Sequence, residues 1–262
     1  MTPAIMVLLG LPGNVAVGTS LGAVFASASF AVLKRRGSNT IDVKLAVTTA
    51  CGSIGGILVG LGIMESLKKA RPLVILGKEQ AVVQYVLLCS YVALLTLIAA
   101  VMIFDLYHNS RSPAKRVGLF SKIKIPPYLR FNSLEEPKLS LLPVVCLGVV
   151  IGILTALMGV GGGIIMLPAL IYFIGQRTVK AAGTSLLLVW ISSAISATGH
   201  ISAGNIDWPL LGCMLIGGII GTNFGTITGL KLSGHRIRSY FVYVVVLAVL
   251  MVGFKLFEVT FF

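Results

Sequence analysis

Gly159-Val160-Gly161-Gly162-Gly163 places four glycines in five positions, between an apolar run at 140–158 and another at 164–174. Each glycine costs about 1 kcal/mol against alanine inside a helix, so the chain is predicted to break here. Broken backbone at membrane depth leaves N–H and C=O groups unpaired, which is tolerated only where they face protein or a water-filled cavity. The expectation is a binding site. Half-helices that meet such a break turn the partly positive ends of their dipoles inward, where they suit an anionic group.

The surrounding composition sets the class. Of 262 residues, 56% are hydrophobic and 11% charged, with mean hydropathy +0.99, and several apolar runs reach the ~20 residues that cross a bilayer as helix. These values describe an all-α polytopic membrane protein whose first partner is the lipid bilayer. No strand-like alternation persists, which argues against a β-barrel. A formal charge of +13 would suggest nucleic acid as partner of a soluble chain. Here the basic residues lie between apolar spans and read as topology signals, so no nucleic-acid partner is expected. Cys51, Cys89, Cys146 and Cys213 sit inside apolar runs without C-x-x-C spacing, and neither a disulfide framework, a metal site nor a cofactor is expected. Met1-Thr2-Pro3 opens without a basic n-region, so no cleavable leader is read.

A shift of 165 residues superposes 1–67 on 166–232 without a gap and with 19 identities. Pro3-Ala4 meets Pro168-Ala169, Gly18-Thr19-Ser20-Leu21 meets Gly183-Thr184-Ser185-Leu186, Ser27 meets Ser192, and Ile41-Asp42 meets Ile206-Asp207. Gly52, Gly56 and Gly60 meet Gly217, Gly221 and Gly225. Bulk hydrophobicity would not select glycine, proline and hydroxyl residues in register, so the match reads as duplication. The expected organisation is a first transmembrane repeat at 1–104, a basic linker at 105–139 and a second repeat at 140–262. The first repeat has no counterpart of Leu139–Ile165, so the expectation is an N-terminus that begins short.

In order, the reading places a half-helix at 2–10, spans at about 15–33, 43–64 and 81–104, and then, after the linker, the helix 140–158, the break, the half-helix 164–174 and spans at about 181–198, 208–229 and 238–257. If 140–174 enters and returns as a hairpin, the loops after residue 33, at 105–139, 175–180 and 230–238 share one side and carry most of the Lys and Arg. A single crossing there would weaken that bias. The hairpin is therefore preferred, and it makes the fold two inverted repeats of transmembrane helices with glycine-broken half-helices.

The candidate substrate-binding residues follow from the break and the repeat: Gly161, Gly162 and Gly163, with Thr19, Ser20, Thr184 and Ser185 at the start of a helix in each half, Ser192 two turns further on, and Asn223 in mid-span. Hydroxyls and free N–H groups at a helix start suit a small anion, and the same residue types also cap helices. Serine in a membrane helix commonly bonds back to the preceding turn, and a mid-span asparagine commonly makes an interhelical hydrogen bond. Asp42 and Asp207 read as N-caps, the latter before Trp208-Pro209. His200 reads as an interface residue. Arg177 and Lys180 read as loop anchors or as charges that draw an anion inward. No motif for a nucleophile, a zinc hydrolase or a phosphate loop is present, so no catalytic residue is expected and the chain is not read as an enzyme.

The ordered set Gly159-x-Gly161-Gly162-Gly163, Pro168-Ala169-Leu170, Gly175, Ala182-Gly183-Thr184-Ser185-Leu186 and Gly204-Asn205-Ile206-Asp207-Trp208 resembles the TauE/SafE family of sulfite and organosulfur anion exporters. It recurs weakly as Thr2-Pro3-Ala4, Val17-Gly18-Thr19-Ser20-Leu21 and Ile41-Asp42. The resemblance implies a multi-pass permease of the cell membrane, a secondary transporter that exports small sulfur-containing or organic anions of the sulfite and sulfonate class through a site between repeats. A homo-oligomer is compatible with it. The alternative is a non-transporting accessory membrane subunit or receptor.

Overall fold

The computed structural model describes residues 2–69, 73–75, 78–80, 82–108, 118–123, 125–131, 134, 138–159 and 162–261. Its helices are α1 (Thr2–Leu8), α2 (Gly13–Arg35), α3 (Val43–Lys69), α4 (Val82–His108), α5 (Leu141–Met158), α6 (Gly163–Tyr172), α7 (Thr178–Ser202), α8 (Trp208–Lys231) and α9 (Gly234–Phe261). All but α1 and α6 are long and apolar enough to cross a membrane, seven among the described residues. The connecting segments hold two short antiparallel pairs that alternation did not flag: β1 (Leu73–Ile75) with β2 (Lys78–Gln80), and β3 (Tyr128–Arg130) with β4 (Lys138–Ser140).

The chain breaks where the glycines require it. Gly159 and Gly162 adopt φ of +64° and +75°, a region open to glycine at little cost, and α5 stops before them while α6 starts after. The path then returns. Gly162 lies against Thr155 and Ile151 of α5. At the far end of α6, the Phe173 carbonyl accepts from the Phe120 N–H (2.9 Å), while the Leu141 N–H at the start of α5 donates to the Pro127 carbonyl (2.9 Å) in the same linker. Both ends of the α5–α6 segment therefore sit on one side, as the charge-based hairpin requires.

That side also gathers Lys44, Arg130 and Arg238. Lys44 Nζ donates to the Arg130 carbonyl (2.8 Å). Asp105, Tyr172 and Arg238 join the ends of α4, α6 and α9, with the Arg238 guanidinium 3.0 Å from the Asp105 carboxylate and the Tyr172 hydroxyl donating to it at 3.0 Å. On the opposite side Asn14 and Lys68 both donate to Asn205 Oδ1, at 3.0 Å and 2.5 Å.

Two helices cross at the centre. Phe25 of α2 stacks on Trp190 of α7 at 6.2 Å, and the Trp190 indole N–H donates to Ser29 Oγ (2.8 Å). At the ends of the crossing, Gly18 meets Asn205 and His200, and Gly183 meets Thr40. Low numbers on one helix meet high numbers on the other, so α2 and α7 run antiparallel. Their loops interlock in matching fashion: Thr19 Oγ1 accepts from the Asp207 N–H (3.0 Å), and Thr184 Oγ1 accepts from the Asp42 N–H (3.1 Å). Asp42 and Asp207 in turn cap α3 and α8, each carboxylate accepting at 3.0 Å from the N–H three residues on, which is the helix-start role read from the sequence.

Close backbone packing joins α3 to α5. A Cβ built on Gly52 would lie 2.2 Å from the Val145 carbonyl oxygen, and one on Gly56 would lie 2.0 Å from that of Val149. From the other helix, Gly148 and Gly152 are as tight against the carbonyls of Thr49 and Ser53, at 2.2 Å each. Without side chains in the way the two backbones meet directly, the packing that drives association where lipid competes for apolar surface.

Candidate functional site at the glycine break

The break brings three groups of side chains together inside the bundle. The first surrounds the carbonyl of Gly159. It accepts from the hydroxyls of Thr2 in α1 and Ser20 in α2, each at 3.0 Å, and those two hydroxyls touch each other. Tyr91 of α4 is also fully buried, and its hydroxyl has no hydrogen-bond partner among the described residues. Gly159 fits only because it lacks a side chain: a Cβ there would lie 2.8 Å from Val17 Cα and 2.8 Å from Thr2 Oγ1. Ser20, read from the sequence as a ligand at a helix start, thus holds the break in place.

The second group is the entry to α6. Gly163 begins a ten-residue helix, whose first N–H groups lack partners within the helix and carry the positive end of its dipole. Beside them lies Thr155 Oγ1, 2.9 Å from the position a Gly162 Cβ would take. That hydroxyl is fully buried and has no hydrogen-bond partner among the described residues. Buried polar atoms are nearly always paired, which sets this hydroxyl apart from most others in the bundle.

The third group is the face of α7 that passes the break. Val189 stands 3.5 Å from a Gly163 Cβ, and His200 Nε2 lies 3.1 Å from the Ala156 carbonyl oxygen at the end of α5. Between those two contacts run Ser192, Ser193 and Ser196, all fully buried. Ser192 donates to the Leu188 carbonyl (2.8 Å) and Ser193 to that of Val189 (2.5 Å), the local bonding common for serine in membrane helices. Ser196 Oγ has no partner among the described residues.

The remaining candidates lie elsewhere. Thr184 sits at the α3–α7 junction, accepting from Asp42 and from Gln176 Nε2 (3.1 Å), and Thr19 occupies the matching junction with α8. Ser185 donates to the Ala182 carbonyl (3.1 Å). Asn223 lies on the exposed face of α8, where its side-chain oxygen accepts from Lys34 Nζ. Gly161 lies outside the described residues. Lys180 lines a surface hollow with Asp42, Lys44 and Arg130. Thr155 and Ser196 were missed by the sequence reading. For Thr155 a signal existed: it is the one hydroxyl in the last turn of α5 before the break.

Seven membrane-length helices among the described residues, one of them an arm of a glycine-broken hairpin, define an integral, multi-pass membrane protein. The family model for sulfite exporter TauE/SafE matches residues 1–252, and the chain belongs to that family of membrane transporters. Over nearly its full length it is 24% identical to the probable membrane transporter protein YjnA of Bacillus subtilis, across 256 residues that cover 98% of this chain and 89% of the relative. Shorter stretches match probable membrane transporter proteins of Xylella fastidiosa (strain 9a5c), 31% identical over 85 residues, and of Methanocaldococcus jannaschii, 43% identical over 81 residues. In these two pairs the match spans about a third of each chain, 32% and 33% for the first and 29% and 30% for the second. No solved structure matches the chain.

Proposed function

We propose that the protein is a secondary transporter that exports a small anion of the sulfite, sulfonate or organic-acid class across the cell membrane. The observation that carries this reading is the break itself: the start of α6 and the unpaired Thr155 hydroxyl face one another in the bundle interior. Such an arrangement offers hydrogen-bond donors and a partial positive charge to an anion stripped of water. Gly162, Gly163, Thr155 and Ser196 form the substrate site in this reading, Gly161 completes the break, and Ser192 and Ser193 shape the α7 wall. Thr19, Ser20, Thr184 and Ser185 hold the two halves and the break in register around it.

The reciprocal Thr19–Asp207 and Thr184–Asp42 bonds, with the antiparallel α2 and α7, support an inverted relation between the halves. The gathering of basic loops on one side supports a cytoplasmic position for that side. In proteoliposomes holding this chain alone, labelled sulfite, a sulfonate and a simple carboxylate run as parallel counterflow substrates. Saturable flux of one of them is expected, and Thr155→Val is expected to reduce it at least tenfold while leaving the protein folded. No flux of any anion sinks the transport reading. Wild-type flux in Thr155→Val removes the break hydroxyl from the mechanism.

A further inference from the structure

On the side that holds Lys44 and Arg130, a cleft of about 590 Å3 opens between α2, α7 and the start of α3. Its wall is apolar. Phe25, Val32 and Leu33 line it from α2, and Leu187 and Trp190 from α7. The one hydroxyl on that wall, Ser29, is already engaged: it accepts from the Trp190 indole N–H (2.8 Å) and donates to the Phe25 carbonyl (2.8 Å). From Phe25 to Arg35 the cleft follows α2 for about 15 Å at the rise of an α-helix. One leaflet of a bilayer supplies ~15 Å of hydrocarbon, half of the ~30 Å core. Length and lining both suit an acyl chain.

The end of the cleft is basic. Arg35, only 6% exposed, and exposed Arg36 line it where α2 stops. Past Asn39, Ile41 and Val43, which border both spaces, it runs into the surface hollow of about 570 Å3 that Lys44, Arg130 and Lys180 share with Asp42. The pieces are fastened together, since Gly183 of α7 packs on Thr40, the Asp42 N–H donates to Thr184, and Lys44 Nζ reaches the Arg130 carbonyl. The Asp42 carboxylate caps α3. Among the described residues no carboxylate forms a salt bridge with Arg36, Lys44, Arg130 or Lys180. A soluble anion would leave the apolar cleft without an occupant, and a neutral lipid would leave the cations without a counter-charge. A lipid with a negative headgroup meets both halves, and basic pockets between membrane helices are where such headgroups bind.

We propose that the cleft and the hollow together bind one anionic phospholipid, with an acyl chain laid between α2 and α7 and the headgroup set in the hollow against Arg130 and Lys180. A guanidinium meets a phosphate through two parallel hydrogen bonds, and a lysine ammonium acts beside it as a point charge. The bound lipid ties β3 of the linker to the end of the α2–α7 crossing. This site is separate from the glycine break, and it stands whether or not the chain carries an anion across the membrane.

The chain has two tryptophans, and Trp190 lies in the cleft, so in a Trp208→Phe protein its fluorescence reports what lies beside it. The full chain is reconstituted in phosphatidylcholine vesicles that carry a small fraction of phosphatidylglycerol brominated in mid-chain or, in parallel, of equally brominated phosphatidylcholine. The anionic probe is expected to quench Trp190 saturably and at a lower mole fraction than the neutral one. Arg130→Gln and Lys180→Gln should each weaken that preference about fivefold, the worth of one basic residue near an anionic headgroup, and the double variant should abolish it. Arg130→Gln keeps the backbone carbonyl that Lys44 uses, and the single variants decide if size exclusion shows the double variant misfolded. Should inorganic phosphate in solution remove the preference, the ligand is a free anion and the lipid proposal is overturned. It is overturned equally by quenching that is the same for both lipids, by no quenching from either, or by a preference that survives the substitutions.

Discussion

α3 and α8 carry the same glycines at the same register, Gly52, Gly56 and Gly60 against Gly217, Gly221 and Gly225, and live in opposite surroundings. On α3 the glycines are buried in direct backbone contact with α5; on α8 a Cβ at any of the three would meet nothing within 4 Å. The most apolar stretch of α3 is 44% buried within the protein, that of α8 only 6%. The difference lies in the neighbours. Small residues every fourth position make a groove on a helix, but a groove acts as an interface only where a second helix carries small residues to match. α5 supplies Gly148 and Gly152 to α3; no described helix does so for α8.

The largest effect should come from filling the occupied groove. In Gly56→Leu even the Cβ would sit 2.0 Å from the Val149 carbonyl oxygen, a clash with backbone that no rotamer relieves. α3 and α5 must then separate, and the expected result is loss of the monodisperse peak on size exclusion after extraction. A folded Gly56→Leu protein would show that the α3–α5 contact is dispensable.

Next in size is an ion pair that α9 has and that, among the described residues, α8 lacks. Asp105 and Arg238 form a buried ion pair at 3.0 Å with the Tyr172 hydroxyl alongside. Removal of one partner of such a pair costs about 3–5 kcal/mol, because the other is left charged and buried. Asp105→Ala is therefore expected to lower the thermal midpoint in detergent sharply, with Tyr172→Phe lowering it far less.

A smaller, paired prediction probes the equivalence of the halves. Thr19→Val and Thr184→Val each remove the acceptor of one half-buried backbone N–H, that of Asp207 and of Asp42 respectively. Leaving a fully buried donor unsatisfied costs about 1–3 kcal/mol; these two are half-buried, so smaller and similar drops in midpoint are expected. The Gln176 amide also points at Thr184 (3.1 Å), so a modest excess at Thr184 is consistent with the pairing. A drop at Thr19 alone would break it.

The same comparison marks how far the sequence could be read. The glycine break, the hairpin and the N-capping by Asp42 and Asp207 were legible because each rests on local chemistry: glycine's tolerance of positive φ, the placement of basic loops, and a carboxylate three residues before a free N–H. The role of Thr19 was only half legible, since its bond to Asp207 spans 188 residues and no local pattern marks the partner. That Thr155 and Ser196 are buried without a partner among the described residues was not legible. A hydroxyl in a membrane helix usually satisfies itself on the preceding turn, as Thr49 does on the Leu45 carbonyl (2.9 Å), and only the packed structure shows which ones do not. Arg35 reads in the chain as a terminal basic residue of a span, with nothing nearby to announce its burial. Periodicity, finally, says that α3 and α8 each have a small-residue face, and is silent on what covers it.

Gly221→Leu is the smallest expected effect and tests that last point most directly. Position 221 is the repeat counterpart of 56, so the two substitutions are the same chemical change at the same register. With open space around it, leucine at 221 meets no protein, and it removes a glycine from a helix interior, a gain of up to about 1 kcal/mol from propensity. The thermal midpoint should stay level or rise slightly, with flux in proteoliposomes unchanged. A fall as large as that of Gly56→Leu would mean that the α8 groove is filled in the membrane by another helix. Light scattering on the wild-type protein would then tell whether that helix comes from a second copy of the chain, because packing of two α8 grooves on each other doubles the protein mass and Gly221→Leu would return it to a monomer.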